Sequence, residues 1–457
     1  MAIATINPAT GETVATFEPH DSAEVDRRIT QSHEAFLGLR GTTFAQRAEW
    51  MRAAADLMDA EVEETAALLT LEMGKTLAQA RAEVRKSATN LRFYADHAEE
   101  YLTGRELDAP AVGATRAYTV YEPIGVVLAV MPWNYPLWQV IRFAAPALMA
   151  GNTVVLKHAS NVPQAALYLD TIFERGGFPA GSFNTLLIGA REVEPVLRDR
   201  RVVAVTLTGS EPAGRSVASI AGSEVKHVVL ELGGSDPFLV MPSADLEKAV
   251  ATAVTARTSN NGQACINAKR FIVHEDIYDA FVEKFTAAMA TLVVGDPTAD
   301  ATDIGPLATS SGRDEVAELV ADALAQGAVA TTGGAIPDGP GWFYPPTVVT
   351  GVTKSMRLYA EEAFGPVATV FRAASLDEAL EIANDTTFGL SSAVWTEDAE
   401  EERRAIAGLV VGAVFVNGMS ISYPQVPFGG TKDSGIGREL SVEGIREFVN
   451  AKSVWKA

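Results

Sequence analysis

The chain is almost devoid of cysteine: Cys265 is the only one in 457 residues. A single thiol excludes an internal disulfide and a cysteine-rich zinc site. Histidine is scarce as well, and the six present show no ligand spacing, so no metal is expected. No apolar run reaches the roughly 18 residues of a membrane span. The opening stretch Met1-Ala2-Ile3-Ala4-Thr5-Ile6-Asn7-Pro8 turns polar without a secretory pattern. A cytoplasmic protein with no membrane contact is expected. Basic residues are outnumbered, 37 Lys+Arg against 58 Asp+Glu, for a net charge of −21. A field of that sign repels nucleic acid, which is not expected as a partner.

What is present is enough apolar residue, 47%, to bury large cores in two or three domains. Thr43 is placed to cap a helix over Phe44 to Leu71 that Gly74 ends, and a second helix is expected from Leu77 to Leu102. From Ala117 to Val130 β-branched and aromatic residues, broken by Pro123 and Gly125, predict two strands and a turn. Short apolar runs then alternate with helical segments: Val154–Lys157, Thr185–Ile188, Val202–Leu207 and His227–Leu230. After Gly233-Gly234 the rhythm resumes with strands at Pro237–Val240, Arg270–Val273, Trp342–Thr350, Ala368–Arg372 and Ala413–Asn417, and the chain closes on a short strand at Ser453–Trp455. Two doubly wound α/β domains are predicted, the first a nucleotide-binding one, with a cleft between them.

Several residues invite a chemical reading, each with a plainer alternative. Cys265 follows the polar run Asn260-Asn261-Gly262-Gln263-Ala264 after a helix; it is either a nucleophile in an open loop or an inert buried thiol. Thr208-Gly209-Ser210-Glu211-Pro212-Ala213-Gly214 joins a strand to a helix, as a phosphate site or a structural turn. Lys157, at a strand end on the same sheet edge, either bonds ribose or phosphate or extends to solvent. Glu231, among apolar residues and glycines, should have a raised pKa, suiting a general base or a buried paired acid. Asn134, between Pro132 and Pro136, can aim its amide at an oxyanion or hold a turn.

In order, Pro132-Trp133-Asn134, Lys157, Gly209-Ser210 to Gly214, Glu231-Leu232-Gly233-Gly234, Gly262-Gln263-Ala264-Cys265, Glu362-Ala363-Phe364-Gly365-Pro366 and Pro427-Phe428-Gly429-Gly430 resemble the aldehyde dehydrogenase superfamily across nearly the whole chain. The resemblance implies an α/β aldehyde dehydrogenase-like fold of two doubly wound domains with a β-hairpin oligomerisation arm. Residues 1–111 and 125–230 would bind cofactor, 231–418 would form the catalytic domain, and 112–124 with 419–457 the arm and C-terminal segment of a homo-oligomer. It further implies that Cys265 attacks the aldehyde, that Asn134 and the Cys265 N–H hold the oxyanion, and that Glu231 activates the water that releases the acid. Trp133, Lys157, Ser160, Gly209, Ser210, Leu232, Glu362 and Phe364 would hold the cofactor.

Finer expectations follow from the same resemblance. Many NAD-using members carry a glutamate where this chain has Ser160. A serine admits the 2′-phosphate that a glutamate repels, so NADP is expected to be preferred, with NAD possible; Ser160 as a helix cap is the compatible alternative. Arg142, eight positions after Asn134, and Ser422 match residues that bind the far carboxylate of succinate semialdehyde, which makes that small aldehyde the expected substrate. A structural ion pair is the other role open to Arg142. The chain departs from several such relatives in having Ser259 where they carry a second arginine, with Arg257 two positions earlier. Broader aldehyde oxidation and a non-catalytic binding role are the alternatives.

Overall fold

The computed structural model describes residues 2–457 and builds two open sheets. In the six-stranded sheet the order is Gly435–Ile436, His227–Glu231, Val202–Thr208, Val126–Val130, Thr153–Lys157 and Phe183–Thr185; all neighbours are parallel except the first pair. The seven-stranded sheet runs Val329–Thr332, Thr347–Thr350, Val367–Ala373, Ala268–His274, Asp236–Val240, Ser391–Trp395 and Ala413–Val416, with only the Val329 edge antiparallel. Helices cover both faces, and the central strands are therefore apolar on both sides: Val126 to Ala129 and Phe238 to Val240 are buried without exception.

Local sequence explains most of the outer helices. Thr43 and Gln46 form a reciprocal capping box at the start of Phe44–Ala60. The chain then breaks at Glu61, which pairs with Arg175, and resumes as Val62–Met73. The single helix expected here is thus two, and the bend lets both pack on Pro163–Arg175. Thr76 caps Leu77–Tyr101. Helix Trp138–Ala150 has no solvent face: all thirteen of its residues are buried, Arg142 and Gln139 included.

Three expectations are revised. Ser391–Trp395, absent from the expected strands, is an interior strand, its hydroxyls satisfied by Ser420 and the Ala413 carbonyl. Of the stretch Trp342 to Thr350 only Thr347–Thr350 pairs. The final strand is longer, Val449–Lys456, and lies antiparallel along Arg116–Pro123. No helix is long and apolar enough to cross a membrane among the described residues.

Residues 428–448 return to the first sheet: Gly435 pairs with Glu231, and the Phe448 carbonyl accepts from Asn152 Nδ2 at 2.8 Å. Asn152 is fully buried, and its Oδ1 accepts from the N–H groups of Ile124 (2.8 Å) and Gly125 (3.0 Å). One side chain thereby ties the tail to the turn between the arm and the sheet. Asn152→Ala leaves three backbone groups unpaired and is expected to cost about 2–4 kcal/mol. A chemical-denaturation midpoint equal to that of the parent would refute this.

Candidate active site

Each first-domain residue of interest follows the C-terminal end of a parallel strand. Asn134 comes after Val126–Val130, Lys157 ends Thr153–Lys157, Gly209 follows Val202–Thr208, and Glu231 ends His227–Glu231. This is the edge where open parallel sheets bind ligands. Cys265 faces it from the other side, on the loop entering strand Ala268–His274. The two edges enclose a cavity of about 590 Å³ lined by Trp133, Asn134, Thr208, Gly209, Ser210, Leu232, Gly233, Cys265, Glu362 and Phe364. Trp133 and Phe364 meet across it edge to face, 5.6 Å between ring centres.

The nucleophile loop is rigidly held. Asn260 and Asn261 adopt left-handed backbone (φ 57° and 56°), a conformation asparagine tolerates, and Gly262 continues it at 75°. A Cβ on Gly262 would stand 2.4 Å from the Gly365 carbonyl carbon. Asn261 bonds the carbonyls of Gly74 (2.9 Å) and Pro306 (3.0 Å), while Asn260 Nδ2 donates to the carbonyls of Asn134 (2.8 Å) and Gln263 (3.1 Å). Arg257, fully buried, donates to the carbonyls of Gly262 (2.5 Å), Ala268 (3.0 Å) and Gly365, so it clamps the loop and is unavailable to a ligand. Lys269 Nζ donates to the Cys265 carbonyl (2.7 Å) and pairs with Glu362 at 2.9 Å. The Cys265 N–H finds no acceptor among the described residues.

Asn134 is equally constrained. Its Nδ2 donates to the Gln263 carbonyl (3.0 Å) and its Oδ1 accepts from Gln139 (3.0 Å). One amide hydrogen remains free, and Asn134 lines the same cavity as Cys265, whose N–H is unused. Sequence reading missed what holds this loop. Lys75 Nζ binds the Asn134 carbonyl at 3.0 Å and forms a fully buried pair with Glu83, whose other oxygen accepts from the N–H groups of Leu137 (2.8 Å) and Trp138 (3.0 Å). His158 Nε2 donates to the Pro136 carbonyl (2.8 Å) while Nδ1 accepts from Ala159 N–H; burial pulls its pKa down to about 4, so it stays neutral. Lys75, Glu83 and His158 act on a loop distant in sequence, and neither spacing nor periodicity carries that signal.

The acid–base groups are tuned by burial. Glu231 is buried with neither oxygen hydrogen-bonded; desolvation, then the charge of Glu439, pushes its pKa up to about 8. Its carboxylate lies against Gly429, where a Cβ would come within 2.6 Å of Oε1. Burial pushes the Cys265 thiol up to about 12, with Arg142 and Lys269 opposing. Such a thiol is almost wholly protonated at neutral pH and needs activation to attack. Arg142 is buried in an ion pair with Glu439, its guanidinium 4.5 Å from the Phe428 ring centre and its Nη2 3.5 Å from Thr208 Oγ1. Of the two roles open to Arg142, the structure displays the ion pair. Ser422 is buried in a small separate space lined by Ile266 and by Phe428, the ring over which Arg142 lies.

The sequence comparison decides the family. The profile of the aldehyde dehydrogenase family matches residues 1–454. The chain belongs to the aldehyde dehydrogenase family. It is 65% identical to a succinate-semialdehyde dehydrogenase [NADP(+)] of Mycolicibacterium paratuberculosis over all of this chain and 97% of the relative. It is 64% identical to a succinate-semialdehyde dehydrogenase [NADP(+)] 1 of Mycobacterium tuberculosis over all of both. The crystal structure of the succinic semialdehyde dehydrogenase of Streptococcus pyogenes in complex with NADP+ matches with a TM-score of 0.96 at 36% identity, covering 99% of each chain.

In this aldehyde dehydrogenase the cavity suits a dinucleotide. Ser210 begins helix Glu211–Ser223 without a side-chain cap, leaving first-turn N–H groups open to phosphate. A Cβ on Gly233 would strike Glu362 and Glu211 at 2.8 and 2.9 Å, so the backbone there must stay bare. Lys157 and Ser160 stand outside the main cavity on the adjoining sheet edge. Lys157 is half-buried, its pKa lowered by that burial, and Ser160 does not cap helix Pro163–Arg175. Both remain available to an adenosine ribose or its phosphate. Replacing Arg257 with Met removes a charged donor from three buried carbonyls; about 2–4 kcal/mol of stability should be lost. In a thermal melt paired with steady-state kinetics, kcat should fall more than KM rises.

Proposed function

We propose that the chain oxidises succinate semialdehyde to succinate with NADP+, through a covalent intermediate on Cys265. The observation that carries this reading is the convergence of a lone thiol and two unused N–H donors on one cavity, with the unpaired buried carboxylate of Glu231 directly behind its Leu232–Gly233 wall. The relatives' substrate and cofactor, at 64–65% identity over the whole chain, support its specificity. When bound, NADP+ supplies the hydride acceptor; Trp133, Gly209, Ser210, Leu232, Glu362 and Phe364 would line its path, with Lys157 and Ser160 at the adenosine end.

Cys265 attacks the aldehyde carbon while its proton passes to Glu231, whose raised pKa lets it hold that proton near neutrality. Arg142 and Lys269 add positive field at the sulfur. The new oxyanion takes the free Asn134 amide hydrogen and the Cys265 N–H. Loss of hydride leaves an acyl thioester. Glu231, once ionised, takes a proton from water, whose oxygen adds to the thioester carbon; the C–S bond breaks, the acid leaves and the sulfur recovers its proton. Arg142 and Ser422 are taken to face the far carboxylate.

Residues 1–111 and 125–230 are assigned to cofactor binding and 231–418 to catalysis. Residues 112–124 and 419–457 supply the arm and tail of a homo-oligomer. The two-stranded ribbon of Arg116–Pro123 and Val449–Lys456, with Trp455 exposed, supports that assignment, since a bare ribbon is marginal alone. A cytoplasmic location accords with the free thiol.

Two measurements test the reading. An assay of succinate semialdehyde and uncharged aldehydes, each with NAD and NADP, should give the highest kcat/KM for the first with NADP; a preference for uncharged aldehydes would sink the assignment. Because Glu231 is protonated below its pKa of about 8, deacylation should rise with pH and level off above it. Glu231→Gln should lose that limb and turn over about 10²–10⁴-fold more slowly, with the single-turnover burst of NADPH slowed as well, because Glu231 also takes the Cys265 proton.

A further inference from the structure

The carboxylate end of the proposed substrate meets an unresolved charge problem. Arg142 is already paired with Glu439, Ser259 supplies no cation, and Arg257 is spent on backbone carbonyls. One cation nearby is not spent. Lys86, on helix Leu77–Tyr101, donates from Nζ to Ser422 Oγ at 2.9 Å and lies 4.2 Å from the Trp138 ring centre. Among the described residues no carboxylate pairs with it. Glu83, one turn away, belongs to Lys75.

We infer that Lys86 is a specificity-determining residue that, with Ser422, binds the far carboxylate of the aldehyde substrate. This rests on the reading of the substrate given above. Ser422 accepts from Lys86 and so keeps its own O–H for an anion. It is 4% exposed and shares its small enclosed space with Ile266, the neighbour of the nucleophile. Lys86 and Arg142 also lie within each other's field: burial first, then Arg142, pulls the Lys86 ammonium down to about 8. A half-dry, unpaired cation beside a serine and within the field of Arg142 is a costly arrangement for the empty protein, and a substrate carboxylate set against it relieves that cost. The Trp138 face holds the lysine head without neutralising it, so the charge stays available. An uncharged aldehyde gains nothing from this group, which therefore selects by charge.

The experiment uses the full-length enzyme with NADP+ and compares succinate semialdehyde with butanal, an uncharged aldehyde of the same chain length. Lys86→Met should raise KM for succinate semialdehyde about 10- to 100-fold with kcat nearly unchanged, and leave KM for butanal the same or lower. Lys86→Arg should restore most of the loss. Lys86→Gln serves as a second neutral variant, and its melting temperature with NADP+ alone should match the parent. The melting-temperature gain that succinate should give the parent should be missing from it. Equal KM changes for both aldehydes, or none, would overturn the role of Lys86. A parent enzyme without preference for succinate semialdehyde would instead overturn the substrate reading itself.

Discussion

The active site depends first on a buried ion pair that touches no substrate. Lys75 and Glu83 lie wholly out of solvent, and each spends its remaining bonding capacity on one loop: the lysine on the Asn134 carbonyl, the glutamate on the N–H groups that open helix Trp138–Ala150. Desolvating two charges is expensive, and a pair of this kind is poor at adding stability. Its value here is positional. It fixes where Asn134 points, and through Asn260, which bonds the same carbonyl, it fixes the nucleophile loop as well. Catalytic geometry shared between two domains thus rests on a few polar contacts in a dry interior.

The same dryness sets the site's charge state. Cys265 and Glu231, together with Asp236 near Lys269, are all pushed toward their neutral forms by burial. A site that holds its thiol protonated is protected from adventitious oxidation, because the thiolate is the reactive form. The cations that oppose this, Arg142 and Lys269, are each paired with a glutamate, Glu439 and Glu362. Their field at the sulfur is therefore partial, and it strengthens when either glutamate is drawn elsewhere.

The alternation of strands and helices, the capped outer helices and the cysteine loop were legible because they rest on local patterns: period-2 and period-3.6 apolar spacing, Thr43 with Gln46, Gly74. Ser391–Trp395 escaped because its serines look polar, and only the tertiary partners Ser420 and Ala413 make them fit an interior strand. The break at Glu61 escaped because the helical spacing runs through it; its side-chain partner, Arg175, lies more than a hundred residues away. Arg142 shows the same limit at the site. Its position beside the oxyanion loop could be read from spacing along the helix, but its partner Glu439 comes from a distant segment, so the choice between anchor and ion pair was left to the fold.

The return of residues 428–448 to the first domain places an order on assembly. Glu231 rests against Gly429 and pairs its backbone with Gly435, and Arg142 finds its counter-charge in Glu439. All three contributors are synthesised well after Cys265. A growing chain that has emerged through the cysteine holds a thiol and part of a cofactor sheet, yet lacks the wall behind its general base and the acid that neutralises Arg142. Competence therefore arrives late and in one step, so a half-made chain carries the nucleophile without the setting that makes it useful.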